Sequence, residues 1–273
     1  MNPNSLPAGF SKEFFLGLKA AEAGGKKILE VYNTKFFFEI KEDGGPVTSA
    51  DILSQKAIKE ILDNSGYCAL SEECAAGESK IRSKKMWIVD PLDGTSDFVD
   101  KTGEFAVLIG LVEDGIPCLG IIHQPVAGLY WVAEKGMGAY KSEGDNWEKI
   151  SVNKIRDFST ALAVMSKHHF SEREREFLKY LGIKEFIQKG SCGLKAAEIA
   201  CGNAELYFTF TDKIHEWDTA AAHCLIEEAG GRISDTQGAG LSYDKKTTNH
   251  PHGVLITNGF VHDEIVRIHQ TMI

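Results

Sequence analysis

The sequence lacks the signals that would place it in a membrane, on a nucleic acid or in a disulfide scaffold. No apolar run approaches the ~20 residues of a membrane-spanning helix. The first ten residues contain no basic region followed by an apolar stretch, so no secretory signal is expected. The six cysteines are Cys68, Cys74, Cys118, Cys192, Cys201 and Cys224. None form a C-x-x-C pair and none are spaced like a zinc ribbon. They read as free thiols, buried or half-buried, in a reducing compartment, and a cytoplasmic protein is expected. There is no Lys/Arg run, and the formal net charge is -9. With neither a basic groove nor an interleaved aromatic tract, a long nucleic acid is not an expected partner, and neither is a membrane. Internal repeats, low-complexity tracts and flexible linkers are also missing.

What is present describes an ordinary globular chain. Its 273 residues suit one large domain or two tightly joined halves, with 43% apolar and 25% charged residues. Residues 10–33 carry Phe14, Leu18, Ala21, Gly25, Ile28 and Tyr32 at helical spacing, with Ser11 as a candidate cap. A strand is expected over 36–40 and a turn over 43–46. A helix should follow from Ser49 to about Asn64, with Ala50, Leu53, Ala57 and Ile61 on its buried face. Strands are expected over 67–70, 86–89, 105–112, 118–123 and 129–133, the last three antiparallel through turns at Asp114-Gly115 and Ala127-Gly128.

From about residue 151 the pattern alternates. Strands are expected over 161–165, 185–187, 205–210 and 253–257. Helices are expected over 172–180, 194–201, 217–229 and 262–272, with Gly230-Gly231 ending the third. An N-terminal α+β half, 1–150, would carry most of the chemistry. A C-terminal α/β half, 151–273, would pack with it as one catalytic unit.

The chemistry concentrates in carboxylates. Asp90-Pro91-Leu92-Asp93-Gly94-Thr95 places two acids three residues apart at the end of a buried strand. Pro91 stiffens the turn and Gly94 permits a tight bend. Two anions this close repel unless a cation lies between them, and an all-oxygen donor set points to Mg²⁺. An ordinary capping Asp-Gly turn is the alternative. Ser71-Glu72-Glu73 ends another short strand, and Trp217-Asp218-Thr219-Ala220-Ala221 opens a helix. Separately these read equally as a solvated acidic pair and an N-cap. Asp51, in Val47-Thr48-Ser49-Ala50-Asp51, reads also as a first-turn acid that complements the helix dipole.

In this order, the four segments resemble the inositol monophosphatase superfamily of lithium-sensitive, magnesium-dependent phosphatases, from the first helix to the last. The resemblance implies a layered α-β-α-β-α sandwich. It implies Glu72, Asp90, Asp93 and Asp218 as side-chain ligands, and the Leu92 carbonyl as a backbone ligand, of two or three Mg²⁺ ions. Asp51 and Thr95 match the pair that positions and deprotonates the attacking water. Gly94 and Thr95 match part of the phosphate cradle.

Within the superfamily, three features resemble the branch that hydrolyses adenosine 3'(2'),5'-bisphosphate (PAP) to AMP. Ser rather than Gly precedes the Glu72-Glu73 pair, and Thr102-Gly103-Glu104-Phe105 follows the pattern of bacterial members. Ser166-Lys167-His168-His169 resembles a nucleotide-contacting Ser-Arg-Ser-His segment, with Lys for Arg and His for Ser, so that Ser166 and His169 become candidate substrate contacts. Lys195 matches a lysine near the second phosphate, although Cys192 and Gly193 depart from the pattern before it. Tyr207-Phe208-Thr209 lacks the Glu with which inositol phosphatases hold sugar hydroxyls. His169 and Lys195 read also as a loop histidine and a solvated helix lysine.

The expected partner is a small phosphorylated molecule, PAP first. PAPS, 2'-phosphorylated nucleotides and very short oligonucleotides remain open as substrates, and the protein is a monomer or homodimer. An inositol monophosphatase or broad sugar phosphatase is the alternative, and a non-catalytic phosphate-binding protein of the same fold a remote one.

Overall fold

A computed structural model describes residues 6–40, 46–73, 83–243 and 247–272. In chain order the elements are α1 (Lys12–Tyr32), β1 (Phe38–Ile40), β2 (Pro46–Thr48), α2 (Ser49–Leu62), β3 (Cys68–Ser71), β4 (Lys85–Asp93), α3 (Thr95–Val99), β5 (Ala106–Glu113), β6 (Ile116–Gln124), β7 (Leu129–Glu134), β8 (Gly138–Glu143) and β9 (Asn146–Ile150). They continue with β10 (Leu162–Ser166), α4 (Glu172–Tyr180), β11 (Glu185–Lys189), α5 (Cys192–Ala200), β12 (Leu206–Thr209), α6 (Glu216–Glu228), β13 (Arg232–Ser234), β14 (Val254–Thr257) and α7 (His262–Met272).

Two sheets organise the molecule. The larger runs β3-β4-β5-β6-β7-β8-β9, with β3 parallel to β4 and each later pair antiparallel. The smaller runs β11-β10-β12-β14-β13, with β10 parallel to both neighbours and β14 antiparallel to both of its own. The period-2 alternation of strand residues decides which layer each face meets. On β5, Val107, Ile109 and Leu111 join the core beneath α1 and α2, whereas Ala106 and Leu108 face α5 and α6. On β12, Tyr207 faces α5 and α6, whereas Leu206 and Phe208 pack with Phe177 and Leu178 of α4 and Ile265 of α7. Helices therefore cover the outer face of each sheet and fill the space between them, giving the α-β-α-β-α sandwich.

The middle layer brings α6 very close to the larger sheet. Gly110 and Gly120 are register partners on β5 and β6. A Cβ on Gly120 would lie 2.2 Å from the Ala221 carbonyl oxygen, and one on Gly110 would lie 2.9 Å from the Ala220 Cβ. The small residues after Trp217-Asp218 are thus a packing requirement, and this close approach presses the start of α6 toward the end of β4.

Helix starts follow local rules. The Phe14 amide donates to Ser11 Oγ at 3.1 Å, the expected cap of α1. At α2, Thr48 Oγ1 accepts from the Ala50 amide while Asp51 Oδ2 accepts from the Thr48 amide at 2.7 Å, a reciprocal cap.

Several expectations need correction. The strand over 36–40 shortens to the exposed Phe38–Ile40. Strands β2, β8, β9 and β13 and the short helix α3 were not expected. β9 is largely exposed and β13 has three residues, so neither shows a readable hydrophobic period. The turn over 43–46 lies outside the described residues except for Pro46, which opens β2, and Cys74 lies outside them too. The five other cysteines are free thiols, Cys192 and Cys224 buried and the rest half-buried. Among the described residues, no helix is long and apolar enough to cross a membrane.

Candidate metal centre and active site

The strand β4 delivers two acids to one point. Its register with β5 shifts between Asp90 and Asp93, where three steps on β4 span two on β5 from Leu108 to Ala106. This bulge turns both carboxylates toward the start of α6. Oxygen atoms of Asp90, Asp93 and Asp218 lie within 4.8 Å of one another. Asp90 is 1% and Asp93 7% exposed, whereas Asp218 is half-buried.

Each carboxylate is held by backbone donors. Asp90 Oδ1 accepts from the Leu92 amide at 2.9 Å. Asp93 Oδ2 accepts from Ser191 Oγ at 2.5 Å and from the Gly193 amide at 2.8 Å. Asp218 Oδ2 accepts from the His215 amide at 2.5 Å, and the His215 ring stacks on Trp217 at 4.6 Å. Glu72 follows β3 and is not within 4.8 Å of all three, yet its charge acts on both Asp90 and Asp218.

The cluster is electrostatically strained without a cation. Burial, then the charges of Glu72, Asp93 and Asp218, push the Asp90 carboxyl well above the usual carboxylate range. Burial and Asp93 do the same to Asp218, with the His215 amide and Lys195 pulling the other way. Hard oxygen donors at this density suit a divalent cation, whose charge removes the repulsion. Asp90, Asp93 and Asp218 therefore fit a metal centre.

Asp51 and Thr95, the pair expected to activate water, also meet. Gly94, at a φ of +90°, turns the chain from β4 into α3. Thr95 Oγ1 then lies 3.1 Å from Asp51 Oδ1 and 3.1 Å from the Leu92 carbonyl oxygen. Asp51 is 1% exposed, and its Oδ2 accepts from both the amide and the hydroxyl of Thr48. One oxygen of Asp51 is thus committed to holding the group in place, and the other faces Thr95.

The candidate substrate residues behave differently from one another. Ser166 ends β10, and its Oγ accepts from the His169 amide at 3.1 Å. His169 stays exposed at the loop. Partial desolvation of its ring, followed by the charges of His168, Lys195 and Lys213, nonetheless lowers its pKa. Lys195 is no solvated helix lysine: it is 4% exposed, donates to the Ser191 carbonyl at 2.9 Å and lies 5.1 Å from the Tyr207 ring centroid. Its charge reaches both His169 and Asp218. Lys167 and His168 turn away, toward Asp97 and Glu104.

Sequence reasoning passed over Ser191, which secures Asp93 from the other half of the chain. Its φ of +45° is unusual for a non-glycine residue, and its Oγ also accepts from the Leu194 amide at 3.0 Å as the cap of α5. A serine just ahead of the expected helix, a candidate N-cap, was the available signal.

The model of the inositol monophosphatase family matches residues 13–271. The chain belongs to the inositol monophosphatase family. Family members are metal-dependent, in keeping with the acidic cluster. Among curated relatives, the 3'(2'),5'-bisphosphate nucleotidase CysQ of Aggregatibacter actinomycetemcomitans is 33% identical, over 91% of this chain and 94% of that relative. The CysQ of Salmonella typhimurium is 36% identical, over 87% and 96%. Among solved structures, CysQ from Bacteroides thetaiotaomicron superposes with a TM-score of 0.79 at 31% identity, covering 92% of this chain and 99% of that one. An inositol monophosphatase from Anabaena gives 0.77 at 26%, covering 95% of each.

Proposed function

We propose that this family member is a magnesium-dependent 3'(2'),5'-bisphosphate nucleotidase that hydrolyses PAP to AMP and phosphate, its two halves acting as one catalytic unit. The observation that carries the proposal is the meeting of Asp90, Asp93 and Asp218 within 4.8 Å, beside a Thr95 hydroxyl that lies 3.1 Å from Asp51. The curated relatives carry the choice of substrate.

Two or three Mg²⁺ ions would supply charge that draws in the phosphate oxygens and eases deprotonation of a water. The side chains of Glu72, Asp90, Asp93 and Asp218 and the Leu92 carbonyl would hold them. Thr95 passes its hydroxyl hydrogen to Asp51 Oδ1, which frees its lone pair for a proton of the attacking water. The Thr48 amide and hydroxyl hold Asp51 oriented for that role. Gly94 and Thr95 line the phosphate cradle. His169 and Lys195 supply positive charge for the phosphate that is retained, with Ser166 ordering the His169 loop. Water attacks in line, no phosphoenzyme forms, and configuration at phosphorus inverts; retention would sink this step.

The test is phosphate release from PAP, inositol 1-phosphate and fructose 1,6-bisphosphate, each with Mg²⁺ and with EDTA. Rapid EDTA-sensitive release from PAP alone is expected. Preference for inositol 1-phosphate would overturn the substrate reading and leave the metal centre standing.

A further inference from the structure

The nucleotidase reading divides the site between two halves of the chain. The carboxylates of β4 and the Thr95–Asp51 pair come from before residue 150, while Ser166, His169 and Lys195 come from after it. A substrate with two phosphates must touch both sets, so the spacing between them matters. One ionic cluster, built on a buried carboxylate, spans that gap.

Its centre is Asp97, in the first turn of α3 and 1% exposed. A carboxylate buried this deeply requires strong partners. Asp97 Oδ1 accepts from Thr102 Oγ1 at 2.7 Å and lies 3.5 Å from Lys167 Nζ. Asp97 Oδ2 lies 3.0 Å from His168 Nε2. A carboxylate only accepts, so His168 Nε2 carries the hydrogen.

Glu104 supplies the second anion. Its Oε2 lies 2.6 Å from Lys167 Nζ and accepts from the Gly190 amide at 3.1 Å. Burial alone would raise its carboxyl, but Lys167 and the Gly190 amide hold it below its ordinary value. Gly190 itself is pressed against the cluster, since a Cβ there would stand 2.0 Å from Asp97 Oδ2 and 2.6 Å from the Glu104 carbonyl oxygen.

These contacts fasten two loops of the second half onto the segment just after Thr95. Ser166 ends β10 and His169 lies in the loop after it, and the turn after β11 leads into Ser191 and Lys195. The turn also abuts the phosphate cradle: a Cβ on Gly94 would lie 3.2 Å from the Ser191 amide nitrogen. Lys167 is half-buried, at 33% side-chain exposure, and both its anions come from the opposite half.

We infer that Lys167 and His168 are positioning residues that clamp onto Asp97 and Glu104, and so set the spacing that selects a substrate carrying a second phosphate beyond the one cleaved. The inference rests on the nucleotidase reading. The clamp touches no reacting atom and holds the retained phosphate's subsite in register with the cleaved one. Its loss weakens binding of a bisphosphate and spares the chemistry of a monoester that has no second phosphate.

Lys167→Met and Lys167→Arg test the clamp, with PAP and p-nitrophenyl phosphate as substrates at saturating Mg²⁺. Lys167→Met is expected to raise KM for PAP about tenfold, with kcat and the p-nitrophenyl phosphate rate within about twofold of wild type. Lys167→Arg, which keeps the charge, should recover most of the loss. Amide hydrogen exchange gives a readout independent of substrate: peptides covering 166–170 and 188–192 should exchange faster in Lys167→Met and at the wild-type rate in Lys167→Arg. An equal fall on both substrates marks a merely structural residue and overturns the inference, as does unchanged exchange. A wild-type enzyme that prefers inositol 1-phosphate overturns the nucleotidase reading and the selectivity with it; exchange then decides whether the clamp itself exists.

Discussion

Ser191 Oγ donates to Asp93 Oδ2 at 2.5 Å, joining two residues 98 positions apart. The bond fixes one carboxylate of the acidic cluster from the opposite half of the chain, and Ser191 adopts an uncommon φ of +45° where it makes it. Removing such a support loosens a ligand without deleting it. Ser191→Ala is expected to raise the Mg²⁺ concentration needed for half-maximal phosphate release by about 10–100-fold. A Mg²⁺ titration of the purified variant measures this directly, and an unchanged midpoint would show that the Gly193 amide alone holds Asp93.

Asp51 and Thr95 make the converse prediction. Thr95 Oγ1 sits 3.1 Å from Asp51 Oδ1, and neither belongs to the carboxylate cluster. Asp51→Asn or Thr95→Val should lower kcat by roughly 10²–10⁴-fold while leaving the Mg²⁺ midpoint close to wild type. Thr95→Ser retains the hydroxyl and should keep most of the rate. A parallel loss of metal affinity would place Asp51 among the ligands instead.

Metal binding should be visible as stability. Asp90 is crowded by burial and by the charges of Glu72, Asp93 and Asp218, and Mg²⁺ relieves that repulsion in the folded state alone. Saturating Mg²⁺ is therefore expected to raise Tm in the wild type. In Asp90→Asn the metal-free protein should melt higher than the metal-free wild type, with little further rise on adding Mg²⁺. Thermal melts with Mg²⁺ and with EDTA distinguish these outcomes, and a metal-free Asp90→Asn protein that melts lower would overturn the repulsion account.

The active-site carboxylates were legible because they sit in short motifs whose chemistry shows in the letters, as with Asp90, Asp93 and Gly94. The strands around them were legible as short, nearly continuous apolar runs bounded by turns, as in β5 to β7. Lys167 and His168 were left without a role because the loop's position in the sequence says nothing of which way its side chains turn. Ser191 and Asp97 escaped notice because their partners lie far along the chain, and no local period marks a bond across halves. The Ala220-Ala221 pair was legible as a motif, but its reason, the glycine pair on β5 and β6, emerged only from the packing.

That packing predicts a defect at a distance from the chemistry. A Cβ at Gly120 would stand 2.2 Å from the Ala221 carbonyl oxygen, a backbone atom that cannot rotate away. Gly120→Ala must shift α6, and with it Asp218. A loss of about 1–3 kcal/mol is expected from overpacking, along with a weakened Mg²⁺ response. Denaturant unfolding and the Mg²⁺ titration read the two effects separately.

His123 should contribute to the acid sensitivity of the fold. Its ring stacks on Tyr130 at 3.9 Å, and Nδ1 donates to the Leu129 carbonyl at 3.1 Å. The Nε2 side is closed by α1, where a Cβ on Gly25 would lie 2.5 Å away. Burial lowers its pKa from 6.5 to about 4. The unfolded chain therefore binds a proton that the folded chain refuses between those values. The stability involved is intact above pH 6.5 and is lost as pH falls toward 4, by about 3 kcal/mol at most. His123→Phe preserves the stack and removes the titration. Between pH 7 and 4 its unfolding free energy should fall less than that of the wild type, by close to one proton's worth of slope. Identical pH dependence in the two proteins would assign the acid sensitivity elsewhere, with His262, similarly lowered to about 4 by burial, the next residue to replace.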